Sequence, residues 1–219
     1  MKISVVMFDV IGTTVKESYP DAINDCFEKA FTDNDVTVEL DFLKENRGKD
    51  KKEVIDSVVK SLNLSKNLSV RIHHDFQKNV ENSLVNFLPN TGAEEIFSYL
   101  KQKNIKIGIG SGLSRSLCTS ILRHLNWDAS MFDYVGVTSE VGEGRPSPAM
   151  IHHFMETVGI TEPTELLKVG DTVVDIHEGK NAGVITAVIL SGTQPEEKLR
   201  DAKPDYVLQS LLDIKKIIS

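Results

Sequence analysis

Short, uninterrupted apolar runs recur along the chain. The first covers residues 3–8 and is rich in branched side chains. Runs of this kind are typical of strands that are buried on both faces of a parallel sheet. The same pattern predicts further strands at residues 105–110, 133–137, 166–170, 184–190 and 206–208.

The segments between these runs carry apolar residues at helical spacing. The spacing predicts a helix over residues 93–102, a second over 114–125 and a third from Pro148 through Val158, with Gly159 after its end. Strands that alternate with helices imply right-handed crossovers and a parallel sheet. We therefore predict a doubly wound, Rossmann-like α/β core.

One long stretch departs from this alternation. From about residue 15 to residue 87 the pattern has helical spacing and no convincing strand. We therefore predict an all-helical cap over residues 15–87, inserted directly after the first strand into a core made of residues 1–14 and 88–219. The predicted cap helices cover residues 22–31, 40–45, 51–62 and 69–88.

Composition and charge narrow the class of protein. The chain has 219 residues, a formal net charge of −7 and a hydrophobic share of 40%, which is ordinary for a globular protein. An acidic balance disfavours nucleic acid as the main partner, because nucleic-acid binders usually present a basic surface. The two cysteines make neither a disulfide framework nor a zinc motif, so we expect a reduced, cytoplasmic setting. We expect no membrane span and no signal peptide, because no apolar run is long enough for a span and the first run is too short for a signal peptide.

Polar residues follow the first two predicted strands in the chain. Asp9 ends the first strand and precedes Gly12 and Thr13, and Ser111 with Gly112 follows the second. Open parallel sheets place their active sites at the carboxyl ends of strands. A hydroxyl and backbone N–H groups just before a helix can also hold a phosphoryl oxygen. The alternative for both segments is an ordinary turn at the end of a strand.

Two later segments carry charged side chains. Arg145 lies in the stiff sequence Gly-Arg-Pro-Ser-Pro at residues 144–148, and a guanidinium suits bidentate binding of a phosphoryl group. Asp171 and Asp175 follow the strand predicted at residues 166–170, and Mg²⁺ prefers such oxygen ligands. The alternatives are an exposed loop arginine and acids that favour the dipole of a helix N-terminus.

The order of these four segments, with a helical insertion between the first two, resembles the haloacid dehalogenase superfamily of hydrolases over nearly the whole chain. The resemblance implies that Asp9 attacks phosphorus and forms an aspartyl-phosphate. It also implies Mg²⁺ as the cofactor and a small phosphorylated or phosphonate metabolite as the substrate. The implied metal ligands are Asp9, the backbone carbonyl of Ile11, Asp171 and Asp175, and the implied phosphoryl-binding residues are Thr13, Ser111, Gly112 and Arg145.

Ile11 departs from the superfamily's phosphatases, which usually carry a second Asp two residues after the nucleophile. That Asp protonates the leaving oxygen and later activates water, and an isoleucine side chain can do neither. Phosphonoacetaldehyde hydrolases, the phosphonatases, also lack this Asp and use a cap lysine that forms a Schiff base with the substrate aldehyde. They share the Gly-Arg-Pro-x-Pro segment, and Lys51 lies three residues after Gly48, as their lysine does after a glycine. The chain departs from that branch at Arg47, where a methionine is expected, and at Val54, where a histidine is expected.

These features leave three hypotheses for the reaction. The leading hypothesis is a phosphonatase-like, Mg²⁺-dependent hydrolase in which Asp9, Lys51 and Arg145 are catalytic. The second is a phosphate-ester phosphatase that works without the usual Asp acid–base, and the third is a catalytically weakened relative that binds a phosphorylated ligand or a partner protein. The alternative for Lys51 is a place on the exposed face of a cap helix. The oligomeric state stays open, a homodimer included.

Overall fold

Eight strands form among residues 2–218, which are the residues that the computed structural model describes. They are β1 (Val5–Asp9), β2 (Val15–Glu17), β3 (Phe87–Pro89), β4 (Lys106–Ser111), β5 (Tyr134–Val137), β6 (Leu166–Gly170), β7 (Ile185–Ile189) and β8 (Tyr206–Leu208).

Eleven α-helices connect the strands within the same residues, together with short 3₁₀ turns. They are α1 (Ala22–Thr32), α2 (Leu40–Glu45), α3 (Lys51–Ser61), α4 (Lys66–Asn82), α5 (Ala93–Gln102), α6 (Arg115–His124), α7 (Thr138–Val141), α8 (Ala149–Val158), α9 (Val173–Asn181), α10 (Glu196–Asp201) and α11 (Ile214–Ile218). We call α1–α4 the cap helices. In this part of the chain, no helix combines the length and the apolar character needed to cross a membrane.

Six of the strands form one parallel sheet in the order β5–β4–β1–β6–β7–β8. β1 lies inside the sheet and pairs in parallel with β4 on one side and β6 on the other. The chain therefore builds one half of the sheet outward from β1 and then returns to build the other half. This order confirms the predicted doubly wound core, and each predicted strand is present to within two residues of its expected start.

Helices cover both faces of the sheet, each against its own apolar layer. On one face, Phe8 of β1 packs in a layer that includes Phe97 of α5. On the other face, Val5 and Met7 pack with Phe154 of α8. Successive side chains of a strand point to opposite faces, so β1 is held from both sides along its whole buried length. This packing fixes the position of the last residue of β1.

The cap helices pack around buried aromatic side chains of their own. Phe27 and Phe31 of α1 and Phe76 of α4 are all buried, and the rings of Phe27 and Phe76 lie 4.9 Å apart. The first three cap helices begin and end within one residue of the bounds that the apolar spacing predicts. An amphipathic helix that buries one face in this way needs no strand partner.

Two expectations for residues 15–87 are wrong. β2 and β3 pair antiparallel, with Val15 opposite Pro89, although the sequence pattern predicts no strand there. The fourth predicted helix runs to residue 88, whereas α4 ends at Asn82 and is followed by a 3₁₀ turn. Strands of three residues give no readable alternation, and their pairing joins segments that are 70 or more positions apart in the chain.

The β2–β3 ribbon connects the cap helices to the sheet. Asn90, directly after β3, donates from its backbone N–H to the carbonyl of Thr14 and from its side chain to the carbonyl of Thr13, at 2.8 and 2.7 Å. The two chain segments that connect the cap helices with the sheet are therefore hydrogen-bonded to each other. The division at residues 14/15 and 87/88 stays a prediction, because the ribbon lies across both proposed boundaries.

The aromatic cluster around Phe97 allows a test of the packing. The Phe97 ring lies 5.5 Å from Phe8 and 5.3 Å from both Trp127 and Phe132. Phe97→Ala should lower the free energy of unfolding by about 3–5 kcal/mol, the usual cost of emptying such a site. Val85 is 70% exposed, so Val85→Ala should change it by less than about 0.5 kcal/mol. Urea unfolding measures both, and a cost below about 1 kcal/mol for Phe97→Ala would contradict this packing.

Candidate active site

Polar side chains from three adjacent strands meet at one edge of the sheet. Asp9 ends β1, Ser111 ends β4 and Asp171 comes directly after β6. Because β4 and β6 flank β1 in parallel, their carboxyl ends lie side by side. The convergence that the sequence predicts is therefore present, at the place where doubly wound sheets bind ligands.

The turn after Asp9 brings the first segment against Asp171. Gly12 has a φ of +96°, and a Cβ there would lie 2.2 Å from Asp171 Oδ2, so only glycine fits. Thr13 is fully buried, and its hydroxyl donates to Asp171 Oδ1 at 3.0 Å. The Thr13 hydroxyl thus contacts the carboxylate of another segment and does not line the cavity described below.

Arg145 forms hydrogen bonds with both Asp9, the candidate nucleophile, and Asp175. Its Nη1 donates to Asp9 Oδ1 at 2.5 Å and to Asp175 Oδ1 at 2.8 Å. Arg145 is 4% exposed, so the alternative of an exposed loop arginine is wrong. A buried guanidinium between two carboxylates supplies the positive charge that both need in a poorly solvated site.

Both oxygens of Asp175 accept bonds within the protein. Oδ1 also lies 3.0 Å from Lys168 Nζ, and Oδ2 accepts from the backbone N–H and the hydroxyl of Thr172 at 3.2 and 2.6 Å. The bond from the Thr172 N–H, together with the reciprocal bond from the Asp175 N–H to Thr172 Oγ1 at 3.3 Å, forms a capping box at the start of α9. Asp175 thus also stabilises a helix N-terminus, as the alternative for these acids anticipates. Burial acts to raise the pKa of Asp175, but the charges of Lys168 and Arg145 hold that pKa below its usual range.

Three carboxylates form a compact buried cluster. Asp9, Asp171 and Asp175 each offer an oxygen atom within 4.8 Å of the others. Burial raises the pKa of Asp171 to about 7, and the charges of Asp9 and Asp175 act in the same direction. Burial likewise raises the pKa of Asp9, against the opposing charge of Arg145. Clustered, desolvated carboxylates of this kind are a suitable oxygen donor set for a divalent cation.

A cavity of about 30 Å³ lies between the strand ends and the cap helices. A water molecule needs roughly 10–15 Å³ of such space, so the cavity is narrow. The sheet side and the cap side both contribute to its walls. From the sheet side these are Asp9, Ile11, Ser111, Gly112, Leu113, Arg145, Thr172 and Thr193, and from the cap side Ile23, Arg47, Gly48, Lys49 and Lys51.

Lys51 is brought to the same cavity as Asp9 and Arg145. Its backbone N–H donates to the carbonyl of Gly112 at 3.1 Å, and its Nζ donates to the carbonyl of Lys49 at 3.1 Å. Burial lowers the pKa of Lys51 to about 8, and the charges of Arg145 and Arg47 add to this effect. Lys52, in contrast, is exposed and pairs with Asp56 at 2.7 Å. The alternative place on the exposed face of a cap helix therefore applies to Lys52 and not to Lys51.

The cap loop before Lys51 lies directly on the fourth segment. Gly48 has a φ of +85°, and a Cβ there would lie 2.5 Å from Thr172 Oγ1. Arg47, where the resemblance to phosphonatases implies a methionine, is buried and pairs with Glu17 at 2.8 Å and with Asp21 at 3.0 Å. Arg47 is therefore an ion-paired cation in the wall of the cavity.

Ile11 and Ser111 complete the sheet side of the cavity. Ile11 is partly buried, and its aliphatic side chain has no proton to exchange with a ligand. Ser111 is buried, and its Oγ accepts from the backbone N–H of Leu113 at 3.2 Å, which leaves the hydroxyl proton to donate. The site thus combines a hydroxyl donor with an apolar side chain, at the position where the resemblance to the superfamily's phosphatases implies an acid.

Several residues of the site are not found by the sequence analysis. Thr193 lies in the loop after β7 and donates from its backbone N–H to Asp171 Oδ2 at 2.9 Å, and a loop threonine carries no sequence signal for such a role. Lys168 and Glu178 are buried beneath Asp175. A lysine inside a run predicted to be a buried strand is a readable sign of a buried ion pair, and it could have identified Lys168.

Comparison with known proteins relates the chain to a family. Residues 6–189 match the family of haloacid dehalogenase-like hydrolases. The chain is 27% identical over 204 residues to a phosphonoacetaldehyde hydrolase of Latilactobacillus sakei subsp. sakei (strain 23K), and the match covers 87% of this chain and 77% of that protein.

Solved structures share the fold. A phosphonoacetaldehyde hydrolase-like protein from Oleispira antarctica has a TM-score of 0.86 at 19% identity, over 100% of this chain and 92% of that one. A predicted phosphoglycolate phosphatase from Haemophilus somnus has a TM-score of 0.83 at 19% identity, over 100% of this chain and 99% of that one. At this identity the likeness concerns the arrangement of sheet and cap helices.

The raised pKa of Asp171 predicts a pH-dependent stability. The folded protein keeps the Asp171 proton up to a pH of about 7, whereas the unfolded chain loses it near the ordinary value of 3.8. Stability is therefore lost as the pH rises between these values, and no more is lost above the folded pKa. Asp171→Asn has no such proton, so its melting temperature in EDTA should rise relative to the unmodified protein between about pH 5 and about pH 8.

Differential scanning fluorimetry over that pH range measures the effect. Asp41→Asn is the matched control, because it makes the same chemical change at an exposed position outside the carboxylate cluster. A pH-independent or falling difference for Asp171→Asn would contradict the raised pKa.

Proposed function

Since the chain belongs to the haloacid dehalogenase-like hydrolases, we propose that it is a Mg²⁺-dependent enzyme that cleaves the carbon–phosphorus bond of a small phosphonate with a neighbouring carbonyl group, of the phosphonoacetaldehyde type. One observation carries the proposal. The amine of Lys51 and the carboxylate of Asp9 belong to one cavity, while Ile11 lies where a phosphatase of this superfamily has its acid. The sequence similarity to a phosphonoacetaldehyde hydrolase supports the same assignment.

The acidic cluster fits a divalent cation. No donor from residues 2–218 contacts Asp9 Oδ2. Asp171 is fully buried and, among the same residues, accepts only from the uncharged donors of Thr13 and Thr193, whereas Asp175 is paired with the cations Arg145 and Lys168. Asp9, Asp171 and the backbone carbonyl of Ile11 would hold Mg²⁺, and Asp175 would support them through Arg145. When bound, Mg²⁺ offsets negative charge on the phosphoryl group and on the carboxylates.

The first step we propose is a Schiff base at Lys51. The neutral amine attacks the carbonyl carbon of the substrate to give a carbinolamine. The hydroxyl of this adduct takes up a proton from solvent and leaves as water, which gives an iminium ion. A lysine is suited to this reaction when burial and nearby cations lower its pKa, as they do here to about 8. The iminium ion makes the adjacent carbon able to accept the electron pair of the carbon–phosphorus bond.

The second step is attack by Asp9 on phosphorus. A carboxylate oxygen forms the new bond, the carbon–phosphorus bond breaks, and its electron pair moves to carbon to give an enamine on Lys51. Water then cleaves the aspartyl-phosphate to inorganic phosphate, while the enamine is protonated on carbon and hydrolysed to the free aldehyde. The leaving group departs as an enamine and needs no acid at position 11, which accounts for Ile11.

Arg145 and Ser111 are the proposed phosphoryl-binding side chains. Arg145 offers a planar set of donors and already contacts Asp9. The cavity between the strand ends and the cap helices is narrow, and we propose that the cap loop moves away from the sheet when the substrate enters. The bond from Lys51 N–H to the Gly112 carbonyl is one that such a movement would break.

A cytoplasmic location is part of the proposal. It is supported by the two cysteines, Cys26 and Cys118, which are both buried and free of disulfide bonds. Thiols that stay reduced are usual in that compartment.

Asp9→Asn should remove turnover and leave the protein folded. An amide cannot form the aspartyl-phosphate, so kcat should fall by about 10⁴-fold or more, as for other lost nucleophiles. Asp201→Asn, at an exposed position, should keep full activity. A phosphate-release assay with Mg²⁺ measures both variants, and turnover by Asp9→Asn near the level of the unmodified protein would rule out this mechanism.

The Schiff base can be trapped on Lys51. Borohydride with phosphonoacetaldehyde should attach a reduced adduct to Lys51, found by peptide mass spectrometry, and Lys51→Arg should abolish it. The rate of trapping should rise with pH and level off above about 8, because only the neutral amine attacks and it is the main form above the pKa. Lys52→Arg is the control and should keep the adduct. Release of phosphate from phosphate esters without any adduct would favour the phosphatase hypothesis instead.

A further inference from the structure

Lys168 is a lysine in the middle of a strand that is buried on both faces. It belongs to β6 and is 1% exposed. Taking an ammonium group out of water is strongly unfavourable unless its charge is well paired. A lysine at this position of a central strand therefore depends on the charges around it.

Two carboxylates of α9 surround the Lys168 amine. Nζ lies 3.0 Å from Asp175 Oδ1 and 2.9 Å from Glu178 Oε2. Glu178 is fully buried and lies three residues after Asp175, which puts both acids on one face of the helix. Neither Lys168 nor Glu178 is part of the wall of the active-site cavity.

Asp175 connects this buried lysine to the site. Its Oδ1 is shared between Lys168 Nζ and Arg145 Nη1, and the same Nη1 also donates to Asp9 Oδ1. Charges therefore alternate from Glu178 through Lys168, Asp175 and Arg145 to Asp9. Without Lys168, Arg145 would be the only cation that residues 2–218 place on Asp175 Oδ1, and the guanidinium would be held more strongly on the side away from Asp9.

We infer that Lys168 is a positioning residue that acts through Asp175 to keep the Arg145 guanidinium beside Asp9, where it can receive the phosphoryl group. Lys168 satisfies part of the Asp175 charge and so leaves Arg145 shared between Asp175 and Asp9. Glu178 balances the remaining charge of Lys168. The inference rests on the proposed function in one respect, namely that Arg145 binds the phosphoryl group.

A purely structural role predicts a different behaviour. A buried ion pair can often be replaced by apolar side chains of similar size with no loss of stability. If Lys168 and Glu178 only fill space and neutralise each other, the double variant Lys168→Met/Glu178→Met should keep all properties of the site. If Lys168 positions Arg145, the same variant should fold but bind phosphate more weakly than the unmodified protein.

The experiment measures the affinity for inorganic phosphate by isothermal titration calorimetry with saturating Mg²⁺. The double variant should bind phosphate about tenfold more weakly than the unmodified protein, since couplings within such networks have this size. In an Arg145→Lys background, the same double replacement should add less than about a twofold loss, because its effect passes through the guanidinium. Leu167→Met, a neighbouring buried change outside the network, should leave the affinity within about twofold.

The outcomes separate the inference from its premise. A double variant that folds and binds phosphate like the unmodified protein overturns the role of Lys168. An equal loss in the Arg145→Lys background also overturns it, because Lys168 would then act independently of Arg145. Failure of the unmodified protein to bind phosphate with Mg²⁺ would instead contradict the proposed phosphoryl site itself.

Discussion

The bridge that Arg145 makes between Asp9 and Asp175 is the interaction on which the rest of the site depends. Three carboxylates within 4.8 Å of one another repel each other, and burial makes each charge more costly. Arg145 places a permanent positive charge between two of them, and Lys168 adds a second from beneath Asp175. The sheet supplies the carboxylates, because its parallel strands end at one edge. The loop before α8 supplies the guanidinium.

The same cations that stabilise the carboxylates also act on Lys51. The cap loop lies against the sheet at Gly48 and is bonded to the Gly112 carbonyl, so the Lys51 amine shares the desolvated space of the site. There the charge of Arg145 helps to lower the pKa of Lys51. One buried charge therefore favours an ionised nucleophile at Asp9 and a neutral amine at Lys51. The carbon–phosphorus cleavage that we propose uses both groups and needs no acid at position 11, where the cavity has Ile11.

The sequence predicts the parts of this arrangement that depend on local pattern. Buried strands are visible as apolar runs, and parallel strand ends bring Asp9, Ser111 and Asp171 together whatever the loops between them do. The apolar pattern does not predict the β2–β3 ribbon, because its pairing joins three-residue segments that are distant in the chain. The contact of Thr193 with Asp171 was equally unreadable, since it depends on how a loop folds back. The buried ion pair of Lys168 could have been predicted, because a charged side chain inside an apolar strand needs an oppositely charged partner.

Carbon–phosphorus cleavage can be tested most directly by phosphorus NMR of the unmodified protein with Mg²⁺ and phosphonoacetaldehyde. The phosphonate resonance should be replaced by that of inorganic phosphate, with an equal amount of acetaldehyde, and EDTA should prevent the change. A phosphonate resonance that stays unchanged while the protein releases phosphate from phosphate esters would contradict the proposed reaction.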